Sequence, residues 1–226
     1  IAGVVEAVGS EVTKYQPGDR VGVGCLVNSC GHCEQCAAGE EQACLNGSVG
    51  TYDSRDVDGT ITQGGYSQKV VVNERFVCRI PDSLGFMAAA PLLCAGITTY
   101  SPIATWDVGP GDEVAVLGLG GLGHMGVQIA AAKGAEVTVL SRSLRKADLA
   151  EKLGATRTLA TSDENFFRDH RGEYDFILNT ISAPIDLRGY LGLLKPFGAM
   201  VLVGLPPEGL EISARNLIAG DRKSVV

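Results

Sequence analysis

Four of the seven cysteines fall in one stretch, CGHCEQCAAGEEQAC, as Cys30, Cys33, Cys36 and Cys44. The spacing is C-x2-C-x2-C-x7-C. Thiolates are soft ligands that suit tetrahedral Zn²⁺, and short spacings let one ion gather them with little loop-closure cost. Gly31 and Gly39 permit tight turns between them. Four sulfurs fill all four positions, so such an ion would hold structure and leave no place for substrate. An iron–sulfur cluster would want a C-x3-C-P ending that is absent here. Disulfides would require an oxidising compartment, which nothing in the sequence indicates. His32, between ligands, reads as a bystander. Cys25 and Cys78 are expected to be small core or strand residues. The cluster is therefore a structural clip, and any catalysis must lie elsewhere.

A second stretch, GLGGLG, fits G-x-G-x-x-G with Gly118, Gly120 and Gly123. It follows a predicted strand, DEVAVLGL, and opens a predicted helix, which is the context that makes the pattern meaningful. Gly118 would make the tight turn, Gly120 would let backbone approach a pyrophosphate, and Gly123 would let helix and sheet pack closely. Leu119, Gly121 and Leu122 complete the loop. The helix start adds free N–H groups and partial positive charge. His124 follows directly and reads equally as a cofactor neighbour or an ordinary first-turn residue.

The next predicted strand bears on which dinucleotide binds. An NAD site wants Asp or Glu about 20 residues past the loop, on the ribose 2′-hydroxyl. Here VTVLSRSLRK has no acid and presents Ser141, Arg142, Ser143, Arg145 and Lys146. Hydroxyls and cations suit a 2′-phosphate, so NADP(H) is favoured over a merely solvated basic helix start.

The elements that must position these groups have two textures. Up to about Ile80, Val4–Val8, Arg20–Val23 and Gln68–Val72 read as strands, punctuated by PGD, NG, DG and GG turns. That predicts a small β lobe, with a zinc loop over 25–50. Beyond it strand and helix alternate, which predicts a parallel sheet with helices on both faces. The α/β chain thus divides into 1–90 and 91–226, the second part being a nucleotide-binding domain whose last strand runs out near Val225–Val226.

Of the 226 residues 45% are hydrophobic, enough for a sizeable core, and no uninterrupted apolar run nears a membrane span. Net charge is −7 and the pI about 5.0, which argues against nucleic acid or an anionic membrane as main partner. Cytoplasmic location is expected. The chain opens and closes inside strand-like patterns, so it is expected to be a piece of something longer.

Cys94 lies in PLLCAGITTYSPI, an apolar helix-like segment where a lone cysteine would ordinarily be core. Taken with GVVEAVGSEVTKYQPGDRVGVG, the four-cysteine lobe, GGYSQKVVV and GLGGLGHMG, this segment resembles the zinc-containing alcohol dehydrogenases of the medium-chain dehydrogenase/reductase superfamily. The resemblance covers nearly the whole chain. It is strongest to the cinnamyl alcohol dehydrogenases and bacterial NADP-dependent aldehyde reductases.

The resemblance implies a partial GroES-like barrel followed by a Rossmann domain, one structural and one catalytic zinc, and NADP(H). It implies that Cys94 is one of three catalytic zinc ligands, the others being a cysteine and the histidine of a GHE motif expected just before Ile1. It places Thr98 and Leu122 beside the nicotinamide and Thr180 and Val203 at strand ends facing the cofactor. It implies primary alcohols and aldehydes as small-molecule substrates, and a homodimer paired through the last strand. Tyr52 reads as a pocket wall or as an exposed loop aromatic. Two other readings stay open: an inactive zinc-stabilised NADP-binding module, because Cys94 alone cannot hold a catalytic ion, and a polyol or sugar dehydrogenase.

Overall fold

A computed structural model describes residues 1–218 and the backbone of Lys223–Val225. Val226, where the last strand was expected to run out, lies outside the described residues. Contacts divide the chain into two units, Ile1–Cys94 and Ala95–Val226.

The first unit has strands β1 (Ala2–Val4), β2 (Arg20–Val23), β3 (Leu26–Asn28), β4 (Val49–Gly50), β5 (Tyr52–Arg55), β6 (Ile61–Gln63) and β7 (Val77–Arg79). Its helices are α1 (Glu34–Ala37) and α2 (Phe86–Pro91). β1, β2 and β7 form an antiparallel sheet, while β3 pairs with β4 and β5 with β6. The expected strand at Gln68–Val72 does not form. A strand needs a partner for its backbone groups, and no described segment pairs with this one, leaving Val71 fully exposed. Of the two cysteines expected to be core or strand residues, Cys78 lies in β7 and Cys25 in no strand, and both are exposed. Cys78 sits opposite Gly22 across the β2–β7 ladder, on a face that the three-stranded sheet leaves uncovered. Cys25 follows the end of β2. Tyr52 opens β5 instead of lying in a loop, and is half exposed.

After α2 the chain makes one π-turn, Leu92–Gly96, and continues as α3 (Ile97–Thr105). The whole stretch Phe86–Thr105, 20 residues at mean hydropathy 1.3, is long and apolar enough by length and composition to cross a membrane. Threonine, tyrosine and serine interrupt the stretch, so it is not one unbroken apolar run. Here Ala89, Thr99, Pro102 and Ile103 are buried in protein.

The second unit continues with β8 (Glu113–Leu117), α4 (Gly121–Ala132), β9 (Glu136–Ser141), α5 (Ala147–Lys152) and β10 (Arg157–Ala160). It is completed by α6 (Phe166–Asp169), β11 (Tyr174–Asn179), α7 (Leu187–Gly192), β12 (Leu194–Leu202), α8 (Ala214–Ile218) and β13 (Lys223–Val225). The sheet order is β10-β9-β8-β11-β12-β13, and every pair is parallel. Side chains alternate across it. Val114, Val116, Val139 and Leu178 pack on one face with Val127 and Ala130 of α4. Ala115, Leu117, Leu140 and Ile177 pack on the other with Leu187 and Leu191 of α7. Burial on both faces is why these strands read as continuous apolar runs.

Leu178, fully buried at the centre of this sheet, tests the packing. Leu178→Ala is expected to lower unfolding stability by about 2–5 kcal/mol, read from the urea midpoint.

Candidate functional site

The β3–β4 ladder closes the base of the cysteine loop. All four sulfurs, from Cys30, Cys33, Cys36 and Cys44, lie within 4.8 Å of one another. Cys30 and Cys36 are 3.9 Å apart and Cys33 and Cys44 4.0 Å. A tetrahedron with Zn–S bonds of about 2.3 Å has edges of about 3.8 Å, so the spacing fits zinc. Arg75 braces the loop from outside, donating to Glu41 Oε1 at 2.7 Å.

The thiols are electrically unequal. Backbone N–H of His32 and the side chain of Asn46 lower Cys30 to about 5. Backbone N–H groups of Cys36 and Leu45 lower Cys33. At Cys36 the Ser29 hydroxyl pulls down, but burial and the neighbouring Cys33 and Cys44 sulfurs push it up to about 11. Two sulfurs favour the thiolate and one holds its proton, as expected of crowded donors that a divalent cation would satisfy. His32 turns its ring to its own loop, with Nδ1 2.7 Å from the Cys30 carbonyl oxygen.

In the second unit the strand order reverses direction between β8 and β11. Ligands of such sheets bind at the carboxyl ends of the strands flanking this switch point. Gly118 follows β8 with φ +83°, a conformation that only glycine adopts without strain. A Cβ on Gly123 would lie 2.2 Å from the Gly118 carbonyl oxygen, so glycine there sets how closely α4 approaches β8. Gly120 and Gly121 have nothing within 4 Å of where a Cβ would stand, so the surface over the helix start is open. Two carbonyls of the loop already have partners: Lys146 Nζ donates to Leu119 O at 2.8 Å, and His124 Nδ1 lies 2.6 Å from Gly120 O.

Sequence-distant groups converge here. Ser141 ends β9 beside the loop, since Gly118 N donates to Leu140 O at 2.9 Å. Arg142, Ser143, Arg145 and Lys146 follow it, all exposed and with no carboxylate among them. Thr180, after β11, donates through Oγ1 to Leu117 O at 2.7 Å. Val203 N donates to Asn179 O at 2.9 Å. Leu119 is buried and Leu122 half-buried.

Cys94 is different. It is exposed on the π-turn, and π-turns interrupting helices are frequent at functional sites. Among the described residues no set of three potential metal ligands includes it, so the residues present do not complete the three-ligand catalytic ion that the resemblance implies. Its neighbour is Cys25, whose pKa is raised by burial and then by the Cys94 thiol. Sequence reasoning missed Cys25, because residues far apart in the chain carry no pairing signal. Thr98 is half-buried on α3, while Thr99 is fully buried and donates to Ala95 O at 2.8 Å.

The sequence and the fold match known proteins. The family described as zinc-binding dehydrogenase matches residues 121–226, and that described as alcohol dehydrogenase GroES-like domain matches 1–82. The NADP-dependent alcohol dehydrogenase C 1 of Mycolicibacterium smegmatis is 59% identical over 98% of this chain and 64% of its own length. A cinnamyl alcohol dehydrogenase structure from Sorghum bicolor superposes with TM-score 0.96 at 44% identity, over 99% of this chain and 64% of that one.

Both units of the chain thus match families of zinc-binding alcohol dehydrogenases.

A further member, the Helicobacter pylori CAD complexed with NADP(H), superposes with TM-score 0.92 at 42% identity, over 99% of this chain and 64% of that one. The chain thus spans about 64% of the length of the relatives it matches.

Two predictions follow from the site geometry. The purified chain should carry one zinc, which Cys44→Ser should release while Cys78→Ser retains it, as read by elemental analysis. Because Cys36 holds its proton at neutral pH and zinc must displace it, apparent zinc affinity should rise from pH 6.5 to pH 8 in competition with a chromogenic chelator.

Proposed function

We propose that this chain supplies the structural zinc lobe and the cofactor-binding domain of an oxidoreductase that interconverts primary alcohols and aldehydes with NADP(H), favouring aldehyde reduction. The observation that carries the cofactor is the end of β9, where Ser141, Arg142, Ser143, Arg145 and Lys146 stand without a carboxylate beside the glycine loop. A 2′-phosphate would meet hydroxyls and cations there, and nothing that repels it. Backbone N–H groups of Gly120–Leu122, at the start of α4, would hold the pyrophosphate. Leu122, Thr98, Thr180 and Val203 would bound the nicotinamide. When bound, NADPH supplies the hydride.

The relatives' names support this reading: an NADP-dependent alcohol dehydrogenase, a cinnamyl alcohol dehydrogenase and a structure with NADP(H). A small alcohol or aldehyde is the partner it implies, with pairing of two chains along β13, the outer strand of the sheet. A second reading, a zinc-stabilised NADP-binding module, is favoured by one observation: Cys94 has no complete ligand set among the described residues.

Binding separates both from a false cofactor assignment. This chain should bind NADPH at least about tenfold more tightly than NADH, and Arg142→Ala should remove most of that preference, since a charge-assisted hydrogen bond contributes about 1.5–3 kcal/mol. Added salt should weaken NADPH more than NADH. Equal affinity for the two would sink the NADP assignment. Turnover then separates enzyme from module: these 226 residues should not oxidise NADPH with benzaldehyde, and a longer chain that includes the GHE segment should.

A further inference from the structure

Asn179 is the last residue of β11 and is fully buried. Its backbone carbonyl accepts from Val203 N at 2.9 Å and Gly204 N at 3.1 Å. Its side-chain Oδ1 turns back and accepts from Ile181 N at 3.0 Å. This is an Asx turn: the side chain takes the N–H that a continuing strand would give to a neighbour, and the chain leaves the sheet there.

The turn sets where the next two residues go. Thr180 Oγ1 is delivered to Leu117 O, and lies 3.4 Å from where a Cβ on Gly118 or on Gly123 would stand. Ile181 is delivered against Gly118 on one side, 3.2 Å from such a Cβ, and against Gly204 on the other, where a Cβ would stand 2.3 Å from the Ile181 carbonyl oxygen. The first residue of the glycine loop is therefore backed by a segment that Asn179 hooks into place.

The other end of the same amide is costly. Asn179 Nδ2 is buried and has no hydrogen-bond partner, and an unpaired buried donor is destabilising. Leucine, close in size, would remove that unpaired donor but would also leave Ile181 N without its acceptor. What asparagine alone supplies is Oδ1 and the turn it makes.

We propose that Asn179 is a positioning residue for the dinucleotide crevice: its side chain holds Thr180 and Ile181 against Gly118, while its own Nδ2 goes unpaired. This rests on the reading of the crevice as an NADP(H) site.

Two variants of this chain separate positioning from packing. Asn179→Leu keeps the volume and removes the acceptor. Asn179→Ser keeps a shorter acceptor that can make the same turn and loses volume. NADPH affinity is read by fluorescence titration and stability by thermal unfolding. With Asn179→Leu the dissociation constant for NADPH should rise roughly five- to tenfold, as for one lost hydrogen bond, while the melting temperature changes little, because loss of the unpaired Nδ2 offsets the Ile181 N left without its acceptor. With Asn179→Ser the melting temperature should fall while affinity stays within about twofold of the unsubstituted chain. Affinity that simply follows melting temperature across the two variants makes Asn179 a packing residue and overturns the proposal. So does unchanged affinity in Asn179→Leu. Failure of the unsubstituted chain to bind NADPH removes the cofactor reading, and the proposal with it.

Discussion

The nucleotide end of the second unit depends on one steric allowance: how near the start of α4 can come to the end of β8. The Gly118 carbonyl oxygen occupies the space that any side chain at position 123 would need. Because that space is free, the helix begins directly at the turn, and its unpaired N–H groups face outward over the open surface at Gly120 and Gly121. The carbonyls that could oppose an anion there are tied back by Lys146 and His124. With competing acceptors occupied and donors free, such a strand–helix junction would suit the anion proposed above.

The sheet makes that junction useful. β9 lies on one side of β8 and β11 on the other, so the loop after β8 has two different neighbours. The β9 side brings hydroxyls and cations, and the β11 side brings Thr180 and the turn that backs Gly118. Each is far from the glycine loop in sequence, and parallel pairing in register sets them at one level. The apolar side chains of the strands go to packing on both faces.

The cysteine lobe solves a different problem. Its strands are two to four residues long and bury few large side chains, too little to order a loop of this length by apolar packing alone. Four sulfurs at tetrahedral spacing supply the missing constraint. Their unequal proton affinities come from the same crowding: backbone N–H groups point at Cys30 and Cys33, while Cys36 is pressed against other sulfurs.

How much of this was legible in the chain depends on how local each signal is. The cysteine spacing, the G-x-G-x-x-G turn between strand and helix, and the acid-free end of β9 are contiguous patterns, and each carries its own chemistry. They determined the metal type, the α/β class and the expected cofactor. Gln68–Val72 shows where local reading stops: its residues favour a strand, yet a strand exists only with a partner, and partnership is not a property of five residues. Cys25 read as a small core or strand residue and stands exposed beside Cys94, because burial depends on what the rest of the fold lays over a residue. Asn179 carried no signal at all. Its role follows from a hydrogen bond made at one strand end and from the glycines that this end meets, two facts that exist only once β8, β11 and β12 lie side by side. Sequence alone determined which groups could do chemistry, since ligand type and backbone freedom are local. Only the tertiary structure decided which of them meet, since meeting is set by contacts between residues remote in the chain.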